Sequence, residues 1–327
     1  MEVRTLGATG RQVTRMGLGL AALGRPAYIN LGHADDLDRD YDVAAMRRRS
    51  AEVLDAAWRG GIRYVDAARS YGRAEEFLGA WLRTRPERER PVVGSKWGYA
   101  YTAEWRLDAD THEVKDHSAA MFARQLAESR ALLGDDLDLY QVHSVTLDSG
   151  ALDDGALLDA LAGLRESGTA IGVSLSGPRQ GETLERALGV RRDGVALFAT
   201  VQATWNVLEP SAGDMLAAAH RAGLGVIVKE GVANGRLTPR TTDRGVRDVL
   251  EPVAARAGAT IDAIALAAIL AQPWADVVLS GAATVRHLTA NLAAVDVTLG
   301  RRDHDALARL RERPGDYWSR RAALEWG

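Results

Sequence analysis

Four side chains of complementary chemistry lie at the ends of three consecutive apolar segments in the first half of the sequence. Asp66 and Tyr71 lie in GIRYVDAARSYG, Lys96 in VVGSKWG, and His143 in DLDLYQVHS. A phenol has a pKa near 10 and is a poor acid at neutral pH unless a neighbouring ammonium group stabilises the phenolate. Lys96 can supply that cation, while Asp66 can pair with Lys96 and hold it in place. With His143 donating to a carbonyl oxygen, the set suits proton donation to that oxygen as hydride reaches the carbon.

Each of these residues taken alone also has an ordinary structural explanation. Asp66 could cap a helix, Tyr71 could be an aromatic at a rim, Lys96 could end a strand in solvent, and His143 could be a half-buried hydrogen-bonded histidine. Four suitable types at three successive strand ends make coincidence a poor explanation. Lys96 is also one of only three lysines among 41 basic residues, which favours a specific role.

The elements that must position these residues follow an alternating pattern of strand-like and helix-like segments. Eight strands are predicted at 16–20, 63–65, 92–95, 137–142, 170–175, 198–202, 226–229 and 277–279. Helical periodicity follows at 44–59, 74–84, 119–133, 157–166, 182–188, 214–222, 261–271 and 285–295. Eight such units predict an α/β fold, most simply a closed (β/α)8 TIM barrel, with an open doubly wound sheet as the alternative.

A typical barrel needs roughly 250 residues, so about 75 of the 327 are left over. They fall at 1–14, 25–42, 99–117 and in a tail from Arg301. We expect one domain spanning 1–327. A β-hairpin near the N-terminus should close the bottom, and the second and third segments should form large loops at the C-terminal face, where barrel active sites lie.

The composition makes several classes of function improbable. The chain has 41 basic and 44 acidic residues, a formal net charge of -3, and no cysteine. This balance argues against nucleic acid or an anionic membrane as a partner, and the missing thiols exclude disulfides and thiolate metal sites. His112 and His117 are wrongly spaced for a zinc HExxH motif, so no metal is expected. Without a signal-like or spanning apolar segment, we expect a cytoplasmic protein whose partner is a small molecule.

These segments, together with the barrel pattern, closely resemble the aldo-keto reductase family over nearly the whole chain. The resemblance implies a (β/α)8 barrel that reduces carbonyl compounds with NAD(P)H. The family's catalytic Asp, Tyr, Lys and His match Asp66, Tyr71, Lys96 and His143, with Tyr71 as general acid.

The resemblance also implies residues for the nicotinamide end of a cofactor. Ser174 and Gln202 match the serine and glutamine that hold the carboxamide, but Leu175 replaces the usual asparagine. Gly19 and Leu20 match a turn in which the family has Thr in place of leucine. On strand seven the family's aromatic-Ser-Pro-Leu is replaced by Lys229, Glu230, Gly231 and Val232, followed by Gly235. Lys229 could then contact the pyrophosphate or Glu230, or extend to solvent.

The adenosine end is implied by the segment LSGAATVRHLTANL. Backbone donors at a helix N-terminus favour phosphate, and the matching residues are Gly281, Ala282, Thr284, Arg286, His287 and Asn291. The lysine and arginine that often mark strong NADP preference are replaced by Gly281 and His287. We still expect NADP(H) over NAD(H), with Arg286 contacting the 2'-phosphate, although Arg286 could equally be a solvated arginine.

Aromatic residues near the expected mouth suggest a substrate pocket lined by Tyr28, Trp97, Tyr99 and Trp105. Core packing is the competing explanation, but a ring-sized carbonyl substrate such as a sugar or polyketide fits such a lining. The predicted function is therefore NAD(P)H-dependent reduction of an aldehyde or ketone to an alcohol. The alternatives are an NAD-dependent sugar or lactol dehydrogenase working in the oxidative direction, and a cofactor-binding auxiliary subunit with little turnover.

Overall fold

Eight parallel strands form a closed barrel in the computed structural model, which describes residues 1–327. We label them β1 to β8: Met16–Gly19, Tyr64–Asp66, Val92–Trp97, Leu139–Val145, Ala170–Leu175, Thr200–Thr204, Gly225–Lys229 and Val277–Ser280. Each strand pairs with the next one in sequence, and β8 pairs with β1 to close the ring. The predicted TIM barrel is confirmed, and the open sheet is wrong.

One principal helix follows each strand and packs on the outside of the barrel. We label these α1 to α8: Val43–Arg59, Ala74–Leu82, Ala119–Leu133, Gly155–Glu166, Gln180–Leu188, Gly213–Arg221, Ile261–Leu270 and Val285–Leu292. Several of these helices begin at a residue whose side chain caps the N-terminus. Asp42 accepts hydrogen bonds from the first amides of α1, Ser118 does so for α3, and Thr284 does so for α8.

The bottom of the barrel is closed by the expected N-terminal hairpin, in which Val3–Thr5 pairs with Gln12–Thr14. Leu6 and Val13 from this hairpin pack inside the barrel with Tyr64, Ile227 and other buried side chains. The turn passes so close to β7 that Gly7 has no room for a side chain. The open end of the barrel is therefore the face at which strands β2 to β4 deliver their polar residues.

Further elements lie in the connections between the barrel strands and at the end of the chain. Tyr99–Tyr101 and Glu113–Lys115 form an antiparallel hairpin within the third accessory segment, which the sequence did not predict. A second small hairpin joins Arg191–Arg192 to Val195–Ala196. The remaining helices are His33–Asp36, Arg244–Ala257, Arg301–Leu307 and Pro314–Ala322.

By length and composition, no single helix could span a membrane. Only the pair Arg244–Ala257 and Ile261–Leu270 passes that test when joined, and the two helices meet at a bend of 81°.

Substituting Gly7 by alanine tests how tightly the hairpin closes the barrel. Its φ is +48°, and a Cβ there would lie 2.0 Å from the backbone nitrogen of Gly225, so Gly7→Ala should lower the free energy of unfolding by about 2–4 kcal/mol. Gly10 is the matched control, because its φ is +70° but a Cβ would meet nothing within 4 Å. Gly10→Ala should cost only about 1 kcal/mol. Equal losses in urea unfolding would contradict this packing.

Candidate active site

The strand ends bring the four predicted catalytic side chains together at the open face of the barrel. Asp66 ends β2, Lys96 lies in β3, His143 lies in β4, and Tyr71 follows in the loop between β2 and α2. Lys96 forms an ion pair with Asp66, and its Nζ donates to the Ala67 carbonyl oxygen at 2.9 Å. The same Nζ lies 3.3 Å from the Tyr71 hydroxyl oxygen. The His143 ring packs edge-on against the Tyr71 ring, with centroids 5.5 Å apart.

The Asp66 carboxylate is satisfied by more than Lys96. Its Oδ1 accepts hydrogen bonds from the Tyr64 hydroxyl at 3.1 Å, Gln141 Nε2 at 3.1 Å and Gln202 Nε2 at 2.9 Å. These donors come from β2, β4 and β6, so side chains from across the barrel converge on one carboxylate. A buried charge with this many partners is held in one position.

Tyr71 is a protonated phenol at neutral pH. Burial raises its pKa well above the ordinary value of 10, the Asp66 carboxylate adds to that effect, and the guanidinium of Arg25 opposes it. We expected Lys96 to lower this pKa, but burial is the larger effect, and the Asp66 carboxylate offsets the positive charge of Lys96. The phenol therefore carries the proton that a general acid must donate.

His143 is a neutral imidazole for a related reason. Burial lowers its pKa well below the ordinary value, and the nearby cations Lys96 and Lys229 lower it further. Its Nδ1 has no hydrogen-bond partner within the protein, while its backbone oxygen contacts Nε2 of His117 at 2.8 Å. A neutral imidazole keeps one N–H donor, so His143 can donate one hydrogen bond to a ligand.

An open cleft of about 1100 Å³, including space open to solvent, lies above these residues. A second groove, near the N-terminus of α8, shares Asn30, Val232 and Gly281 with it, so the two form one elongated depression. Sequence-predicted residues that line the main cleft are Gly19, Tyr28, Asp66, Tyr71, Tyr99, His143, Gln202, Lys229, Glu230, Gly231, Val232 and Gly281. Those that line the second groove are Val232, Gly235, Gly281, Ala282, Arg286, His287 and Asn291.

Two tryptophans expected in the substrate pocket lie elsewhere, and this part of the pocket prediction is corrected. Trp97 is fully buried in the core and packs against Phe122 of α3. Trp105 packs against Phe77 of α2, and its Nε1 donates to the Tyr41 carbonyl oxygen at 2.7 Å.

Four residues expected near the cofactor also do not line either cavity. Leu20, Ser174 and Leu175 are buried, and Thr284 caps α8 by accepting a hydrogen bond from the His287 amide at 3.1 Å. Ser174 lies immediately behind the wall of the cleft, because its hydroxyl accepts a hydrogen bond from Lys229 Nζ at 3.0 Å.

Sequence reasoning missed a group of charged residues that the accessory segments bring to the cleft. Arg25 is almost fully buried, forms an ion pair with Glu113, and lies 5.1 Å above the Tyr71 ring and 4.8 Å from that of Trp326. Arg321 from the tail forms an ion pair with Glu230. Each pair joins segments about 90 residues apart, so no local motif could have indicated it.

The closed eight-stranded barrel and the polar residues at its open end fit an oxidoreductase that acts on carbonyl or alcohol groups. The sequence model of the Aldo/keto reductase family matches residues 15–312, and the chain belongs to this family. Aldo-keto reductases use nicotinamide cofactors.

Curated relatives and a solved structure agree with that assignment. The chain is 33% identical over 165 residues to pyridoxal 4-dehydrogenase of Microbacterium luteolum, a match that covers 44% of this chain and only 43% of that protein. It is 26% identical to the NADH-specific methylglyoxal reductase of Escherichia coli K12, covering 95% of this chain and 99% of that one. The holo form of an aldo-keto reductase from Bacillus halodurans has the same fold, with a TM-score of 0.71, 22% identity, and coverage of 96% and 97%.

A double-mutant cycle tests the buried pair at the centre of the site. Lys96→Met leaves the Asp66 carboxylate buried without its cation, and should lower the free energy of unfolding by about 3–5 kcal/mol. In the double variant Lys96→Met/Asp66→Asn, the loss of unfolding free energy should be at least about 1 kcal/mol smaller than the sum of the losses in the two single variants. The exposed pair Arg247 and Glu251 is the control, where truncation should cost under about 0.5 kcal/mol. Strict additivity in urea unfolding would show that Asp66 and Lys96 are not coupled.

Proposed function

We propose that this protein transfers hydride between a nicotinamide dinucleotide and a small carbonyl compound, with Tyr71 as the general acid in the reductive direction. The observation that carries the proposal is the convergence of Tyr71, Asp66 and His143 at the floor of one cleft, with Lys96 buried directly beside them.

The chain's own residues supply the proton and the positioning for this reaction. A bound nicotinamide ring would supply or accept the hydride. Tyr71 gives its hydroxyl proton to the carbonyl oxygen, and Lys96, 3.3 Å away, stabilises the phenolate that remains. Asp66 keeps Lys96 in place, and the N–H of neutral His143 orients the carbonyl oxygen. In the oxidative direction Tyr71 must first release its proton, and its phenolate, stabilised by Lys96, then accepts the proton of an alcohol.

The shape and chemistry of the elongated depression suit a dinucleotide. Lys229 and Gln202 lie on the wall of the main cleft, and the second groove runs to the N-terminus of α8, where backbone amides favour phosphate. In that groove Asp262 has a buried carboxylate oxygen with no partner in the protein, which suits the hydroxyl groups of a ribose. The residues present therefore fit the cofactor that the family uses.

The finer choice of NADP(H) over NAD(H) rests on Arg286. This exposed arginine lines the second groove and its guanidinium contacts only the ring of the adjacent His287, at 3.0 Å. The neighbouring Asp36 is paired with Arg240, so the charge of Arg286 is available for a 2'-phosphate. A preference for NAD(H) is the competing outcome, because one relative carries the name of an NADH-specific enzyme.

The lining of the cleft favours a polar substrate over an apolar polyketide. Paired charges from Arg25, Glu113, Glu230 and Arg321 alternate with the aromatic rings of residues such as Trp326. Hydroxyl-bearing carbonyl compounds such as sugars can hydrogen-bond to such groups and stack on such rings. Oxidation of a cyclic alcohol or lactol is the second candidate, because one relative carries the name of a dehydrogenase.

Replacing the general acid provides the direct test. Tyr71→Phe should lower kcat for reduction by about 10²- to 10⁴-fold, because the proton donor is lost, and should leave dinucleotide binding nearly unchanged. Turnover is measured with methylglyoxal and a panel of aldoses, and binding by quenching of cofactor fluorescence.

Tyr41→Phe is the matched control, since Tyr41 lies outside the cleft and should retain full turnover. Unchanged turnover in Tyr71→Phe would overturn the role of Tyr71. Tight cofactor binding without turnover by the natural protein, across the whole panel and in both directions, would instead indicate an auxiliary cofactor-binding subunit.

Removing the arginine at the adenosine end tests the cofactor preference. Arg286→Ala should raise the Kd for NADPH about five- to tenfold, because an exposed charge contact is worth about 1 kcal/mol, and should leave the Kd for NADH unchanged. Arg302→Ala, on the surface of the helix that begins at Arg301, is the control. Tighter binding of NADH than NADPH by the natural protein would contradict the preference.

A further inference from the structure

Lys229 differs from the other two lysines of the chain in what surrounds its amine. It ends β7 on the wall of the main cleft, where Nζ donates to the Ser174 hydroxyl at 3.0 Å. Lys96 is tied to Asp66 in an ion pair. Lys115 lies on the hairpin outside the cleft lining, and its Nζ donates to the Ser144 carbonyl oxygen at 2.9 Å.

No carboxylate pairs directly with Lys229. The adjacent carboxylate, Glu230, is occupied by the Arg321 guanidinium and by the Thr204 hydroxyl, which donates to it at 2.9 Å. The backbone at Glu230 has a φ of +56°, an uncommon conformation for a residue with a side chain. The turn after β7 thus directs the carboxylate to the tail and leaves the amine facing the cleft.

The burial of Lys229 favours a neutral amine. Burial lowers its pKa from the ordinary value of 10.5 to about 7, and Arg321 and Lys96 act in the same direction. The carboxylates of Glu230 and Asp66 oppose this, and His143 across the cleft is uncharged at neutral pH. A substantial fraction of the molecules therefore carries an unprotonated Lys229 near pH 7.

We propose that Lys229 is a nucleophilic amine that condenses reversibly with aldehydes entering the main cleft. The nitrogen attacks the carbonyl carbon and a C=N bond replaces the C=O bond. The aldehyde oxygen leaves as water with the two hydrogens of the amine, so no oxidant or reductant is needed. This covalent site goes beyond the proposed function, because it requires neither a dinucleotide nor proton donation by Tyr71.

Reductive trapping on the full-length protein tests the proposal. The chain is incubated at pH 7 with pyridine-4-carbaldehyde, which has no α-hydrogen and cannot rearrange after condensation. Sodium cyanoborohydride then converts the imine into a stable secondary amine, and peptide mass mapping locates it. The only competing primary amines are Lys96, Lys115 and the chain N-terminus. We expect one dominant adduct, on the peptide that contains Lys229.

The Lys229→Arg variant keeps a cation but removes the nucleophile, and should lose more than about tenfold of the labelling at pH 7. Lys115→Arg is the matched control and should label like the natural protein. Preferential labelling of Lys115 or the N-terminus, or equal labelling of Lys229→Arg, would overturn the proposal. If Lys229→Arg folds poorly, the peptide mass map of the labelled natural protein still shows whether Lys229 carries the adduct.

The pH dependence of labelling gives a second readout. A ratio of labelling at two lysines in the same sample is used, because any effect of pH on the reductant then cancels. Burial lowers the pKa of Lys115 as well, but by less than that of Lys229. The ratio of labelling at Lys229 to labelling at Lys115 should therefore be largest near pH 7 and fall towards pH 10, where Lys115 also becomes neutral. A ratio that does not change with pH would contradict the environment described for Lys229. Tyr71→Phe should label normally, because the condensation does not use the proton of Tyr71. Labelling of the natural protein at Lys229 without turnover would count against the proposed function alone.

Discussion

The buried ion pair between Asp66 and Lys96 is the interaction on which the rest of the site depends. Both side chains are almost completely removed from water, at 2% and 0% exposure. Burying two charges costs several kcal/mol per ion unless they are paired and their remaining hydrogen-bonding groups are satisfied. Here the barrel provides that satisfaction, because Tyr64, Gln141 and Gln202 donate to Asp66 from three different strands. The position of Lys96 beside the Tyr71 phenol therefore depends on closure of the barrel.

The accessory segments extend the same arrangement outward. The loop after β1, the hairpin after β3 and the C-terminal tail each bring a charged residue to the cleft, and each meets an opposite charge from another segment. These pairs make the cleft polar without giving it a large net charge. Arg25 also stacks above Tyr71, so a loop far away in sequence directly influences the proposed general acid. Lys229 is the basic residue in this cleft that forms no ion pair with a carboxylate.

The sequence predicted the fold and the four catalytic candidates because both depend on local patterns. Strand and helix periodicity is visible within a dozen residues, and parallel strands place their ends on one face. Trp97 was misplaced although strand alternation could have corrected it, since it follows Lys96 in β3 and so points outward to Phe122. The partners of Arg25 and Arg321 were beyond prediction, because they depend on how long accessory segments fold against each other.

The proposed function depends on proton transfer at a carbonyl group by Tyr71, which the Asp66–Lys96 pair holds in place. A crystal structure of the protein with a nicotinamide dinucleotide and a carbonyl inhibitor tests this most directly. We expect the carbonyl oxygen to lie within hydrogen-bonding distance of the Tyr71 hydroxyl and the His143 ring, and the dinucleotide to run from Gln202 to the N-terminus of α8. A carbonyl group bound away from Tyr71, or a dinucleotide bound outside this depression, would contradict it.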